Sequence, residues 1–239
     1  MVLVNYIERR LEYVRNIVTN NMDLEDYNNF YMKNNYLIID NLIDKVLIDN
    51  AYKLISSKIF NKLWYLVIYN GQKKYIYQYN NKRNINGVIN ILKKNKNRGI
   101  FTYYMYRTFF IPKNKYLYNL FLKLSSQEFI DKISKITNEN ISKIDEIFIS
   151  KYNKNCYLDI HSNKNKGKIA FTLQLSPNFS ITDGGVFYLL NEDDTIKKAI
   201  VPRYNSFLIF KVTDNSKHYV SAINNFCNKN SYTITGWFS

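Results

Sequence analysis

The chain has 239 residues, of which 46% are hydrophobic, and it includes 22 tyrosines and 15 phenylalanines. That length supports one sizeable core, and this apolar content excludes an intrinsically disordered protein. The formal net charge of +15 would attract nucleic acid or acidic proteins, although lysine is also an ordinary surface residue.

The cellular setting is predicted from two compositional features. No apolar run is long enough to span a bilayer, so we expect no membrane contact. Cys156 and Cys227 are the only cysteines, which argues against a disulfide scaffold and favours a reducing, cytoplasmic location.

The first 35 residues are predicted to form an N-terminal helical arm, separate from a domain over residues 36–239. Apolar residues recur there at the spacings of three and four that are typical of an amphipathic helix. They are Val4, Ile7, Leu11, Val14 and Val18. The polar stretch at residues 20–29 predicts a turn.

Residues 36–136 mix short strands with helices. A strand is predicted at residues 36–39, and Asp44 can cap a helix that follows it. Asn70-Gly71 separates two aromatic, β-branched runs and predicts a hairpin. Further elements are a short helix near Val88, an aromatic strand at residues 101–111, and helices at 116–124 and 127–136, with Ser125-Ser-Gln-Glu128 as a capping box.

From residue 144 onward the pattern predicts short strands only. Eight are expected, at residues 144–152, 155–161, 168–175, 185–190, 196–201, 207–211, 218–223 and 231–238. So many closely spaced strands suit a jelly-roll, or double-stranded β-helix. The predicted fold class is therefore α+β, with N-terminal helices buttressing a core of about eight strands.

Two of these strands carry the only histidines, His161 and His218. Imidazole is a common ligand for transition metals, and two histidines with one carboxylate form the facial triad of non-haem iron oxygenases. The carboxylate usually lies two residues after the first histidine, where this chain has Asn163. An amide oxygen can bind a metal, but it brings no negative charge. The alternative is that both histidines are ordinary residues placed by chance.

The flanking residues resemble the iron(II)/2-oxoglutarate-dependent dioxygenase superfamily, in its prolyl-hydroxylase-like branch. The similar segments are His161-Ser-Asn163 with the strand after it, the Gly184-Gly185 pair, Val201-Pro-Arg-Tyr204 with the strand after it, His218-Tyr-Val-Ser221, and Tyr232-Thr-Ile-Thr-Gly-Trp237. The resemblance implies Fe(II) at His161, Asn163 and His218, with 2-oxoglutarate as cosubstrate.

The same resemblance implies a cosubstrate pocket lined by Tyr152, Gln174, Ser231 and Thr235. Ser231 stands where the family has an arginine that pairs with the distal carboxylate of 2-oxoglutarate. A serine supplies no charge, so another cation would have to replace it. The candidates by sequence are Lys168, Arg203 and Lys229.

Three functions stay open at this point. The first is an oxygenase-fold protein with a degraded cofactor site, non-catalytic or attenuated, that binds a protein or peptide partner and uses no cofactor. The second is an active Fe(II)/2-oxoglutarate-dependent hydroxylase of peptidyl proline or another side chain. The third is a nucleic-acid-binding protein that uses the basic region between Lys73 and Arg98.

Overall fold

The protein consists of helices packed on a curled antiparallel sheet. The computed structural model describes residues 23–78, 85–109, 114–164 and 166–239. The described helices are α1 (Leu24–Asn34), α2 (Lys45–Ile55), α3 (Ile85–Asn97), α4 (Lys115–Ser125) and α5 (Gln127–Thr137). The described strands are β1 (Tyr36–Asp40), β2 (Tyr65–Tyr69), β3 (Lys74–Gln78), β4 (Tyr103–Arg107), β5 (Ile144–Tyr152), β6 (Tyr157–His161), β7 (Ile169–Gln174), β8 (Phe187–Leu190), β9 (Ile196–Ile200), β10 (Ser206–Lys211), β11 (His218–Val220) and β12 (Ser231–Phe238).

The strand order confirms the predicted roll. Ten strands are hydrogen-bonded in the order β1-β10-β7-β12-β5-β4-β6-β11-β8-β9, and β2 joins β4 on one side and β3 on the other. All eight strands predicted after residue 143 form, with ends that differ by at most three residues. Strands far apart in the chain become neighbours in this order, which brings β6 beside β11.

The two faces of β12 have different roles. Tyr232 and Ile234 on one face are buried, and the Tyr232 ring lies 6.1 Å from that of Tyr52 in α2. Thr233 and Thr235 alternate with them and line a cavity inside the roll. Because side chains alternate along a strand, one face of β12 supports the helices while the other builds the cavity wall.

Two local predictions differ from the structure. The stretch predicted as a polar turn, residues 20–29, includes the first half of α1, a helix that Asp23 caps and that buries Tyr31. The cap of α5 is Ser126, whose hydroxyl accepts from the Phe129 amide, so the predicted cap at Ser125 is wrong by one residue. The periodic residues of the predicted arm, 4–18, lie outside the described residues.

The strand β9 forms one end of the ten-strand order and carries two lysines, Lys197 and Lys198. Lys197 donates from Nζ to the Asn34 carbonyl oxygen. Among the described residues, no helix has both the length and the apolar character needed to cross a membrane.

The packing around Gly236 gives a stability test. A Cβ there would lie 2.6 Å from the Phe171 ring and 2.7 Å from the Glu146 carbonyl oxygen, and that backbone cannot easily move. We expect Gly236→Ala to lower the free energy of unfolding by about 1–3 kcal/mol, measured by urea denaturation. Gly87→Ala on α3 is the control, because nothing lies within 4 Å of its added Cβ. Equal midpoints for the wild type and Gly236→Ala would contradict this packing.

Candidate functional site

The structure brings the two histidines together. His161 ends β6 and His218 begins β11, and the two residues are direct partners across the strand pair. Their ring centres are 4.2 Å apart. One metal ion could reach a nitrogen of each ring at this separation, since metal–imidazole distances are about 2.1 Å. Both rings line the same cavity, which has a volume of about 330 Å³.

Backbone carbonyls set the tautomer of both rings. Nδ1 of His161 donates to the Asp159 carbonyl oxygen at 2.9 Å, and Nδ1 of His218 donates to the Ser216 carbonyl oxygen at 2.8 Å. A carbonyl oxygen only accepts, so Nδ1 carries the proton and Nε2 keeps its lone pair. Metal-binding histidines are commonly oriented by such outer hydrogen bonds.

Burial keeps both imidazoles neutral. It lowers the pKa of His218 to about 3, with a further lowering from the neighbouring His161. Burial also lowers the pKa of His161, against a smaller opposing effect of the Asp159 carbonyl. Neutral imidazole is the form that can donate a lone pair to a metal.

The third predicted ligand, Asn163, contacts His218 directly. Its Nδ2 donates to Nε2 of His218 at 3.2 Å, and only 9% of the residue is exposed. The lone pair that would face a metal therefore accepts a hydrogen bond from an amide. For Asn163 to bind a metal through its oxygen, this hydrogen bond would have to break and the amide would have to turn.

The donor set falls short of a complete iron site. In the described part of the chain, no group of three or more His, Cys, Asp and Glu side chains is arranged to hold a metal ion. The imidazole pair fits a metal, whereas the position of the acid ligand holds a neutral amide. The residues thus supply two of the three groups of the facial triad.

The four predicted cosubstrate residues, Tyr152, Gln174, Ser231 and Thr235, all line the cavity that contains the histidines. Ser231 faces Tyr152 across the β12–β5 pair and is 3% exposed. The Tyr152 hydroxyl donates to Sδ of Met105 at 3.3 Å, and burial raises the pKa of Tyr152. Oε1 of Gln174 is buried and has no hydrogen-bond partner in the described residues. Their predicted roles toward 2-oxoglutarate stay a prediction.

The three cations expected to replace the missing arginine are placed elsewhere, so that expectation is wrong. Lys229 binds Asp183 and the Asn178 carbonyl oxygen, Arg203 binds Asp40, and Lys168 binds the Asn140 carbonyl oxygen. None of the three lines the cavity.

Arg107 and Lys166 are among the cavity residues that sequence reasoning missed. Arg107 ends β4, and its guanidinium carbon lies 3.9 Å from the centre of the Phe148 ring. Lys166 follows Asn163, and its Nζ lies 4.4 Å from the centre of the Trp237 ring. The alternation of Tyr103, Met105 and Arg107 indicated one shared face, but not that this face lines the cavity.

Comparison with known proteins shows what the C-terminal part of the chain resembles. Residues 147–239 match the model of the 2OG-Fe(II) oxygenase superfamily. Prolyl 3-hydroxylase OGFOD1 of Xenopus laevis is 34% identical over 118 residues, which are 47% of this chain and 23% of that protein. The C-terminal part of this chain is thus similar to the 2OG-Fe(II) oxygenase superfamily and to a prolyl hydroxylase. This confirms the predicted resemblance.

Solved structures extend the likeness in fold over most of the chain. A 2OG-Fe(II) oxygenase-family oxidoreductase of Burkholderia pseudomallei covers 92% of each chain with a TM-score of 0.61 at 10% identity. A Pseudomonas putida prolyl-4-hydroxylase covers 90% of this chain and 98% of that chain, with a TM-score of 0.56 at 10% identity. These structures show the fold. The chain spans about a quarter of the length of the Xenopus relative.

The depressed pKa values predict destabilisation in mild acid. An unfolded histidine binds a proton below about pH 6.5, whereas His218 in the folded chain stays neutral down to about pH 3. Falling pH therefore favours the unfolded state, by at most about 1.4 kcal/mol per pH unit for each histidine. We expect the loss to begin between about pH 6.5 and 5, above the range in which exposed carboxyl groups titrate.

Urea unfolding at several pH values checks this slope. His218→Gln is the comparison, because glutamine cannot take up a proton in this range and should flatten the dependence. The same slope in the wild type and in His218→Gln would contradict a buried neutral His218.

Proposed function

We propose that this chain is a prolyl-hydroxylase-like protein whose cofactor site is non-catalytic or strongly attenuated, and that it acts by binding a protein or peptide partner. The observation that carries the proposal is the Asn163–His218 hydrogen bond. It places a neutral donor where an oxygenase of this family is expected to hold an acid ligand.

A neutral amide weakens metal binding in two ways. It removes the anionic ligand that would offset the charge of a divalent cation, and its N–H group uses the lone pair of His218. A metal ion would have to displace that hydrogen bond before binding. Loss of a hydrogen bond between neutral groups costs about 0.5–1.5 kcal/mol, in addition to the missing charge.

The part of the cavity expected to hold the distal carboxylate of 2-oxoglutarate supports the same proposal. Ser231 lies buried at the position of the expected arginine, and a hydroxyl cannot neutralise a carboxylate. An unpaired buried carboxylate costs on the order of 3–5 kcal/mol, which would weaken binding at that end of the cavity by about two to four decades.

An active hydroxylase of peptidyl proline is the second candidate, and the neutral imidazole pair favours it. Both Nδ1 atoms are held by carbonyls, which leaves Nε2 in the form that binds metal. Bound iron would supply the oxidation chemistry of the family. His161 and His218 would hold it, and the surrounding cavity would exclude bulk water.

The partner surface that we propose is an aromatic cluster beside the histidines, formed by Tyr69, Phe101 and Tyr103. The rings of Tyr69 and Tyr103 stack at 5.6 Å, and Phe101 lies 5.5 Å from His161. All three are half-buried, and Phe101 and Tyr103 line the cavity. A flat apolar surface of this kind suits a ring such as proline, and the basic chain favours acidic flanking residues.

Metal titration tests the cofactor part of the proposal. We expect Mn(II) or Fe(II) to cause no rise in the thermal midpoint of the wild type at any fixed concentration of 2-oxoglutarate, since only a ligand of the folded state raises it. Asn163→Asp should gain a metal-dependent rise, and adding Ser231→Arg should make that rise sensitive to 2-oxoglutarate. Ser162→Asp is the control, because it adds the same charge one residue away.

A metal-dependent rise in the wild type would overturn the non-catalytic proposal and favour the active hydroxylase. An unresponsive Asn163→Asp/Ser231→Arg variant would show that more than these two groups separates the site from its family.

Peptide binding tests the partner part. Fluorescently labelled acidic peptides containing proline should bind more tightly than the same peptides with alanine in its place. Tyr103→Ala should weaken binding by about 1 kcal/mol or more, whereas Tyr118→Ala, which is 57% exposed on α4, should not. Equal binding of both peptides would contradict the proposal.

The nucleic-acid alternative is tested with a labelled 20-nucleotide single strand. Binding that falls steeply with salt, and that is lost in Lys93→Glu/Lys94→Glu on the exposed face of α3, would support this alternative instead.

A further inference from the structure

The cavity is lined by cations without lining anions. Four of its side chains are basic: Lys74, Arg107, Lys164 and Lys166. None of the described lining residues is Asp or Glu, although Lys164 pairs with Asp214 just outside the lining. A cleft with one sign of charge and apolar walls concentrates ions of the opposite sign. This electrostatic bias concerns the interior of the cavity and is separate from the overall net charge.

Two of the cations share one carboxylate. Nη2 of Arg107 lies 3.1 Å from Oε1 of Glu146, and Nζ of Lys166 lies 3.1 Å from Oε2. Burial alone would raise the pKa of Glu146, but the two cations outweigh it and the net pKa is lowered. One negative charge therefore lies between two positive charges, and a second anion would neutralise the remaining positive charge.

Arg107 is also desolvated and rigidly placed. Its side chain is 19% exposed, whereas that of Glu146 is 41% exposed. The guanidinium lies over Phe148, whose partner across the β5–β12 pair is Thr235. A planar guanidinium held on a ring presents a fixed fork that matches a carboxylate, and here it already holds one.

The guanidinium of Arg107 extends along the cavity wall away from Ser231, since it lies on Phe148, whereas Ser231 pairs with Tyr152. Thr235 is four residues from Ser231 along β12, which is about 13 Å in an extended strand. Thr233 and Thr235 line the same wall, and Oε1 of the lining residue Gln174 has no hydrogen-bond partner in the described residues.

We propose that this cavity binds a small carboxylic acid without a metal. The ligand carboxylate would bind Arg107 and Lys166 in place of the Glu146 carboxylate. The proposal uses the cavity of the proposed function but requires neither its partner nor the state of its metal site. A volume of about 330 Å³ accommodates a small molecule. The ligand orientation differs from the one the family resemblance implies, because its anchor is residue 107 and not residue 231.

The test measures binding calorimetrically in a chelating buffer at low salt. Succinate and 2-oxoglutarate are the probes, and succinamide is the neutral comparison. We expect both acids to bind the wild type and succinamide not to bind. Arg107→Gln should weaken binding by about tenfold or more, because a charge-assisted pair is lost.

Glu146→Gln gives the decisive contrast, since it removes the competing carboxylate. It should tighten binding of the acids by about threefold. If the Arg107–Glu146 pair only supported the structure, both Arg107→Gln and Glu146→Gln would bind the acids more weakly. Arg203→Gln is the matched control, because Arg203 pairs with Asp40 outside the cavity and should leave the dissociation constant unchanged. Thermal midpoints without ligand show whether each variant folds.

Three results would overturn the proposal. They are no binding of either acid to the wild type, equal loss in Arg107→Gln and Arg203→Gln, and weaker binding in Glu146→Gln. Metal titration of the wild type is read separately. If the acids bind in the presence of a chelator and this binding depends on Arg107, the inference is supported whatever the metal titration shows.

Discussion

The site depends on the register of one strand pair. His161 and His218 are 57 residues apart, and they meet because β6 and β11 pair at these two positions. A slip of one residue would turn one ring to the other face of the sheet, since side chains alternate along a strand. The carbonyls of Asp159 and Ser216 then orient each ring. The imidazole pair is thus a product of sheet topology, not of local sequence.

Much of the fold could be predicted from the sequence, because alternation and turn residues are local signals. The hairpin at Asn70-Gly71 and the strand that closes the chain both follow from such patterns. The helix α1 was missed because its residues are mainly polar and only Tyr31 is buried. Its cap, Asp23, was the available signal, but a single capping residue is weak evidence beside a polar composition.

The site was less predictable, because its charges come from elements whose pairing the sequence does not reveal. The residues at 152, 161, 163, 174, 218, 231 and 235 share one cavity, which the family resemblance anticipated. The basic residues of that cavity were not anticipated. Lys168, Arg203 and Lys229 were candidates for the missing cation, but each binds a different acceptor outside the cavity. Arg107 enters from β4, and β4 lies beside β5 only through long-range pairing.

The end of the sheet explains part of the basic composition. An edge strand exposes unpaired backbone groups, and a second molecule can add a strand there. On β9, Lys197 and Lys198 place one ammonium group on each face of the sheet, so the side chains of an added strand would lie beside a cation on either face. These lysines therefore disfavour the pairing of a second chain with this edge. A chain so rich in tyrosine and isoleucine has particular need of such protection.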